Sequence, residues 1–386
     1  MTRTTSIRFE AEGLAQLQEL ANDLLEEARL KGASAVEAGI GIERGLSVTA
    51  RLGSVETIEH HKARSFGLTV YFGQRKGSAS STDFSLQAMR NAVEAACRIA
   101  RFATEDPFSG LPDPKRLATE FPPLDLDHAW GIGVDQAIDL AVECEDSALR
   151  FDPEITNSEG ASVDTHQGMH VLANSLGFNH GYSSTRHSLS CSVLGRRGDS
   201  MQRDYWFSVS RDAAELESAR AVGVKAAERT RSRLGAKSLS TRRCPVVYSA
   251  ESAASLIGNF IAAVRGGNLY RKSSFLLDSL GKQVFPDNLR IHEQPRLPKA
   301  LGSANYDGEG VLCQERDIVH RGILKGYVLS SYSARKLGLE TTGNVGGVHN
   351  PTVEATGGGQ AQLLREMDQG LLISELIGHG VNLVTG

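Results

Sequence analysis

Apolar residues recur every three or four positions through Leu14, Leu17, Leu20, Ala21, Leu24, Leu25 and Ala28, with Glu19, Asp23, Glu26 and Glu27 largely on the other side. That spacing predicts an amphipathic helix over residues 14–31, stopped by Gly32. From Val36 to Ser81 the period falls to two. It is clearest where Phe66, Leu68, Val70 and Phe72 alternate with Gly67, Thr69 and Tyr71, and turn signals interrupt at Arg44-Gly45, Leu52-Gly53 and Gly73 to Gly77. An antiparallel meander is expected there. A second helix, about 85–103, gathers Leu86, Met89, Val93, Ala96, Cys97 and Ala100 on one face.

Residues 105–127 break the pattern. Pro107, Pro112, Pro114, Pro122 and Pro123 stand among acidic residues, a composition that cannot stay helical and buries little, so a linker is expected. The plan then repeats. A helix near 134–149 (Val134, Ala137, Ile138, Ala141, Val142, Ala148, Leu149) precedes strands punctuated by Asn157-Ser158-Glu159-Gly160 and Asn174-Ser175-Leu176-Gly177, and a helix near 213–232 closes the block. The two α-β-meander-α blocks, offset by about 120 to 128 residues, suggest an internal duplication.

Next come a short strand from Arg243 and a helix to Gly266, with Ser249 or Ser252 as N-cap. The helix is apolar nearly all round, the pattern of a core element. Short strand-like segments follow (Val284-Phe285, Leu289 to Ile291, Val311 to Cys313, Ile318 to His320, Ile323 to Leu329), together with the Gly-rich stretch 330–359. The fold class expected is α+β. Four segments are expected: an N-terminal domain 1–104, the linker 105–127, a middle domain 128–242, and a mostly β, Gly-rich C-terminal domain 243–386, which reads as incomplete because its last segment is apolar and ends without a polar tail.

With 386 residues the chain has room for two or three cores, and a net charge of −4 gives no whole-molecule attraction to nucleic acid or anionic lipid. Five widely spaced cysteines, none in a C-x-x-C pair, fit a reducing cytoplasm better than a disulfide framework. No signal-peptide pattern opens the chain, and the longest mostly apolar run, Ala253 to Val264, is too short to span a bilayer. Arg229, Arg231, Arg233, Lys237, Arg242 and Arg243 form a basic run without interleaved aromatics, which reads as a helix C-terminus and a solvated linker.

A helical zinc site needs paired imidazoles with a carboxylate beside them, and no H-E-x-x-H occurs: His292-Glu293 is followed by Gln294-Pro295. His166 and His170 have helical spacing but lie in a strand-like run, which would set them roughly 13 Å apart at about 3.3 Å per residue. His60 and His61 point to opposite faces of a strand, and His180 and His187 read as solvated in a polar hairpin. Cys191 and Cys313 have no local partner that marks a nucleophile. No P-loop, G-x-S-x-G elbow or dinucleotide fingerprint is present. The residues assign no catalytic and no metal-binding set, and point to the Gly-rich loops as the site.

Several strings carry more. Tyr306-Asp307-Gly308-Glu309-Gly310-Val311, Gly322 to Tyr327, Ser330 to Gly338, Thr341-Thr342-Gly343-Asn344 and Gly346-Gly347-Val348-His349-Asn350, with Asn157 to Ala161 and Thr185 to Ser188, resemble the TldD/PmbA family, once described as modulators of DNA gyrase. The resemblance spans essentially the whole chain and is nearest to the PmbA-type (TldE) members. It implies a cytoplasmic subunit of a metalloprotease complex acting on unfolded peptides, in leader-peptide removal and antitoxin turnover. The zinc is then supplied by a TldD-like partner in a heterodimer, with a homodimer open in isolation and neither membrane nor nucleic acid as partner. In TldD an H-E-x-x-x-H helix follows a strand; the corresponding stretch here, Pro245 to Val264, holds no histidine, so no zinc ligand transfers. The chain also stops short of the length the family implies, which reads as a truncation. Gly308, Gly310, Gly343, Gly346, Gly347, His349 and Asn350 are the expected substrate or partner contacts. Two other readings stay open: a regulatory binding protein for gyrase or its inhibitors, and an independent hydrolase using His349.

Overall fold

The computed structural model describes residues 11–354, 357–378 and 380–386; residues 355 and 356 of the Gly-rich stretch lie outside them. α1 (Ala11–Leu30) buries Leu17, Leu24 and Ala28 at the spacing read in the sequence. Three antiparallel strands follow, β1 (Ala35–Arg51), β2 (Ser54–Phe72) and β3 (Arg75–Ser81), then α2 (Leu86–Phe102), whose N-cap Ser85 accepts from the Ala88 amide. The second block repeats the order with α3 (Val134–Leu149), β4 (Ile155–Asn174), β5 (Asn179–Arg197), β6 (Ser200–Ser210) and α4 (Ala219–Arg233). α4 starts later than the periodicity predicts because Ser218 takes the N-cap, accepting from the Ala221 amide.

The two blocks do not make two separate sheets. β1 pairs with β4 from Glu37–Asn174 to Ala50–Ala161, and all six strands form one sheet in the order β3-β2-β1-β4-β5-β6. Each three-strand meander would otherwise leave a long edge of unpaired amides and carbonyls, and joining the two edges satisfies both. The order is symmetric about the β1–β4 seam, as a duplicated unit joined to its copy would be.

Burial along β1 shows how the sheet is covered. Val36, Ala38, Ile40 and Ile42, then Leu46, Val48 and Ala50, are all buried, so every second residue faces a core except the exposed Arg44, which stands between the two groups. The first four pack with residues of α1 and α2, the last three with residues of α3 and α4. The opposite face carries Glu37, Gly39, Gly41, Glu43, Gly45, Ser47 and Thr49 and stays open to solvent. At the β1–β2 turn, Leu52 and Gly53 both have positive φ (51° and 72°), and the Gly53 amide donates to the fully buried Glu145 of α3 at 2.9 Å.

Contacts divide the chain into two compact units: one with residues up to Glu105, Pro123–Ser238 and Pro298–Leu301, the other with Asp106–Pro122, Leu239–Leu297 and Gly302–Gly386. In the first, the buried Arg211 donates to the carbonyls of Ala300 and Leu301, and Lys299 pairs with Asp212 and Glu215, which fixes the short returning segment. Most of the Pro-rich stretch, read from sequence as a linker, is a working part of the second unit. Arg335 donates to the carbonyls of Phe108, Gly110 and Leu111, and the Ala118 amide donates to Gly310 O at 2.9 Å. Prolines remove donors but leave every carbonyl able to accept.

The second unit contains β7 (Val246–Tyr248), α5 (Ala250–Ala263), α6 (Gly266–Tyr270), β8 (Ile291–Glu293), β9 (Arg316–His320), β10 (Ile323–Leu324), α7 (Ser331–Leu337), β11 (Pro351–Val353), α8 (Gln360–Met367) and β12 (Leu371–Ile373). Its strands are short, set in a four-stranded sheet β10-β9-β8-β11 and a parallel β12–β7 pair. Much of the Gly-rich region predicted as mostly β is ordered loop. α5 also departs from expectation. Phe260, Ile261 and Ala263 enter the core, but Ala254, Ser255, Leu256 and Gly258 are exposed. Ala254, Ser255 and Gly258 are small, so their burial would gain little, whereas Leu256 is a large apolar side chain left 38% exposed.

Candidate functional site

The seven predicted contact residues fall on two loops of the second unit, 305–313 and 341–350. Asp307 ties the loops together. Its Oδ1 accepts from the amides of Glu309 (2.9 Å) and Val311 (3.0 Å), and its Oδ2 from that of Val345 (2.9 Å). Burial pushes this carboxyl up to about 6 even against three amide donors. The glycines permit the approach. Gly308 lies where a Cβ would sit 2.9 Å from Val345 Cγ1, and Gly343, at φ 69°, where one would meet Leu312 O at 2.4 Å. Gly310 also has positive φ, and Gly346 is exposed with open space beside it.

Beneath the loops lies a polar hub built on Glu293, whose side chain is buried. Its Oε1 accepts from Asn344 Nδ2 and the His349 amide, both at 2.7 Å, and its Oε2 from Arg316 Nε at 2.8 Å. Arg316 also donates to Tyr327 O and to Asn344 Oδ1, each at 2.9 Å, and Asn344 donates to Gly347 O. Asn350 accepts from the Gly302 amide and donates to Gln294 O and Ser303 Oγ. The structure therefore brings Gly308, Gly310, Gly343, Gly347, His349 and Asn350 into one network, in which they shape loops and satisfy backbone groups.

Glu293 and Arg316 were not singled out in the sequence. The signal was present: in Ile291-His292-Glu293 the alternation that buries Ile291 also turns Glu293 inward, and a carboxylate at a core position needs a cation and donors.

One pair has the form of a catalytic dyad. Cys313 Sγ lies 3.2 Å from His349 Nε2, and His349 Nδ1 lies 3.1 Å from Gly302 O. Nδ1–H donates to the Gly302 carbonyl, which leaves Nε2 as an acceptor, and the thiol has two acceptors within reach, His349 Nε2 and Gly343 O at 3.4 Å. Cys313 is buried, and burial together with the charges of Asp307 and Glu293 drives its pKa far up. A neutral, enclosed thiol is a poor nucleophile.

Other sequence readings are altered. His187 is buried rather than solvated, with Nε2 2.8 Å from His128 O and its ring edge-on to Trp130. The rings of His166 and His170 lean toward each other: His166 Cε1 and His170 Nε2 both come within 3.3 Å of the point where a Cβ on Gly168 would stand. Their separation is thus well below that of their backbones. Arg229 and Arg233 share Asp204 and Arg231 pairs with Asp152, so three of the six basic residues have carboxylate partners within the fold. Among the described residues, no group of three or more His, Cys, Asp or Glu is placed to hold a metal ion, and no helix is long and apolar enough to cross a membrane.

Comparison with known proteins gives a consistent result. Profiles of the PmbA/TldA metallopeptidases match throughout: domain 1 at residues 36–100, the central domain at 127–234 and the C-terminal domain at 241–386. The profile boundary between the first two falls within what the structure makes a single sheet. Metalloprotease PmbA of Escherichia coli O157:H7 is 46% identical over 370 residues, covering 96% of this chain and 82% of that protein. The crystal structure of a Bacteroides thetaiotaomicron protein named a modulator of DNA gyrase superposes with a TM-score of 0.91 at 25% identity, covering 98% of this chain and 85% of the other. A metalloprotease TldD homolog of Haemophilus influenzae is 29% identical over 153 residues, 37% of this chain and 32% of its own.

Proposed function

The chain belongs to the PmbA/TldD family of metallopeptidases, and from that premise we propose that it is the zinc-free subunit of a two-chain cytoplasmic peptidase whose metal is held by a TldD-like partner. The observation that carries this reading is the strand β7 and helix α5. They stand where the resemblance locates the partner's zinc helix, and Pro245 to Val264 contains no histidine, no cysteine and a single carboxylate, Glu251. Zinc sites are built from three or four such ligands. The subunit's contribution is then to shape the peptide site: its two loops are fixed by Asp307, Glu293 and Arg316, and extended substrate would be gripped by its backbone. The substrates are unfolded peptides, as in leader-peptide removal and antitoxin turnover.

The purified chain, alone and mixed with a TldD-type subunit, is to be assayed for bound zinc and for cleavage of an unstructured peptide. Stoichiometric zinc and chelator-sensitive cleavage are expected only in the mixture. Chelator-sensitive cleavage by the chain alone overturns the proposal.

A further inference from the structure

We propose that the solvent-facing side of the six-stranded sheet carries a subsite for one aromatic side chain with a hydrogen-bond donor, tyrosine or tryptophan, presented by a peptide. A cavity of about 270 Å³ opens there, lined by Gly39, Gly41 and Glu43 of β1, Ala63 and Ser65 of β2, and His170 of β4. The register makes these six neighbours on one face: Gly41 lies opposite Ser65 on one side and His170 on the other, and Glu43 opposite Ala63.

The hollow exists because central strand positions that ordinarily carry side chains carry none. A Cβ on Gly41 would stand 2.9 Å from His170 Nδ1, so glycine lets that ring lie low and form a wall. A Cβ on Gly39 would meet nothing within 4 Å, so the space above it is free. Size narrows the occupant. An apolar cavity of about 150 Å³ takes up a benzene ring, while pockets for whole ligands begin near roughly 300 Å³. The hollow therefore suits one side chain up to the size of an indole, and not a nucleotide.

Its surfaces favour a ring. The floor is flat backbone, and the His170 imidazole stands beside Tyr182, centroids 6.2 Å apart, ready for tilted or offset packing. At one end Glu43 offers an acceptor. One of its oxygens lies 3.0 Å from His166 Nε2; that bond, with the nearby imidazoles of His170 and His61, keeps the carboxyl below its usual range. A carboxylate accepts several hydrogen bonds, so a phenol or indole N–H gains a partner that phenylalanine cannot use. With three imidazoles already crowding Glu43, a neutral donor fits better than a further cation.

This deepens the peptide-processing reading and takes the peptide from it, but it is tested on the single chain, so its failure is distinct from failure of partner-dependent cleavage. N-acetyl-tyrosinamide, N-acetyl-phenylalaninamide and N-acetyl-argininamide are titrated into the full chain, with binding followed through the His170 imidazole NMR signals. Saturable shifts are expected with the tyrosine amide, weaker ones with the other two. Gly39→Leu should fill the hollow and weaken binding at least tenfold with unchanged melting, and Glu43→Ala, which removes the acceptor, should erase the preference for tyrosine over phenylalanine. Should Gly39→Leu fail to fold, Ser65→Trp, at an exposed position on the opposite wall, takes its place. No shift at His170, equal or tighter binding of the phenylalanine or arginine amide, or full binding in the folded filled variant overturns the proposal.

Discussion

Glu293→Ala tests the claim that a buried ion pair organises the loops. Glu293 is 1% exposed and receives three donors, from Arg316, Asn344 and the His349 amide. Hydrogen bonds to a charged group contribute about 1.5–3 kcal/mol each, but they share one acceptor group and do not add. A better guide is the cost of removing one partner of a buried pair, about 3–5 kcal/mol, because Arg316 keeps its charge and loses its counter-ion. We expect about 4 kcal/mol. Glu293→Gln should cost less, since an amide oxygen still accepts from Asn344 and His349 while its NH₂ opposes Arg316. With two compact units in the chain, one global transition is not assumed, so the measurement is amide hydrogen exchange, which reports each region separately. The His349 and Val345 amides should lose protection in Glu293→Ala, while amides in the six-stranded sheet keep theirs. A loss below about 1 kcal/mol at His349, or an equal loss in the sheet, would refute the reasoning.

Other outcomes follow from the same network. Asp307 titrates near 6 when folded, above the unfolded value of about 3.9, so the folded state binds the proton more tightly; stability should fall as pH rises from about 4 to 6, and Asp307→Asn should abolish that slope in urea melts. For His292 burial alone would lower the pKa, but hydrogen bonds to Glu315 and Asp317 prevail and raise it. Its contribution is therefore complete below about 6.5 and is lost as pH rises through the folded value, and His292→Gln should flatten that decline. Gly343→Ala should cost at least about 2 kcal/mol from a positive φ and a Cβ driven into Leu312 O, whereas Gly39→Ala should stay within about 0.5 kcal/mol. Cys313→Ser should leave partner-dependent cleavage unchanged; loss of cleavage with the fold intact would restore the dyad as chemistry.

What could be read in the chain divides along the range of the interactions. Helix and meander in the first half came from local periodicity, because Leu17, Leu24 and Ala28 or Phe66, Leu68 and Val70 are buried at the spacing their own element imposes. Which edges meet is not local. Nothing in Glu37 to Ala50 announces that Ala161 to Asn174 is its partner. The Pro-rich stretch failed for a related reason: composition showed that it could donate little, but not that Arg335 would collect its carbonyls. Family strings picked out the loops around Gly308, Gly343 and His349, but the charges that hold them, Glu293 and Arg316, come from a different strand pair, whose register is a tertiary fact.

The histidines of β4 show how a correct rule gave an incomplete picture. At strand spacing His166 and His170 are far apart along the backbone, but their side chains do not rise straight from it, because Gly168 lies between them and Gly45 and Gly41 stand opposite on β1. Where the pleat carries no Cβ, a ring can fold down over the neighbouring backbone: His61 over Gly45, His170 over Gly41, and His166 toward His170 over Gly168. Glycine in a central strand usually weakens it, and several on one face of adjacent strands are a local conflict with the fold. Such conflicts tend to mark function. Within Gly39-x-Gly41-x-Glu43-x-Gly45, Arg44-Gly45 reads as a turn signal, whereas the strand runs unbroken from Ala35 to Arg51. There the glycines mark open space on a sheet face, with Glu43 and His170 at its edges.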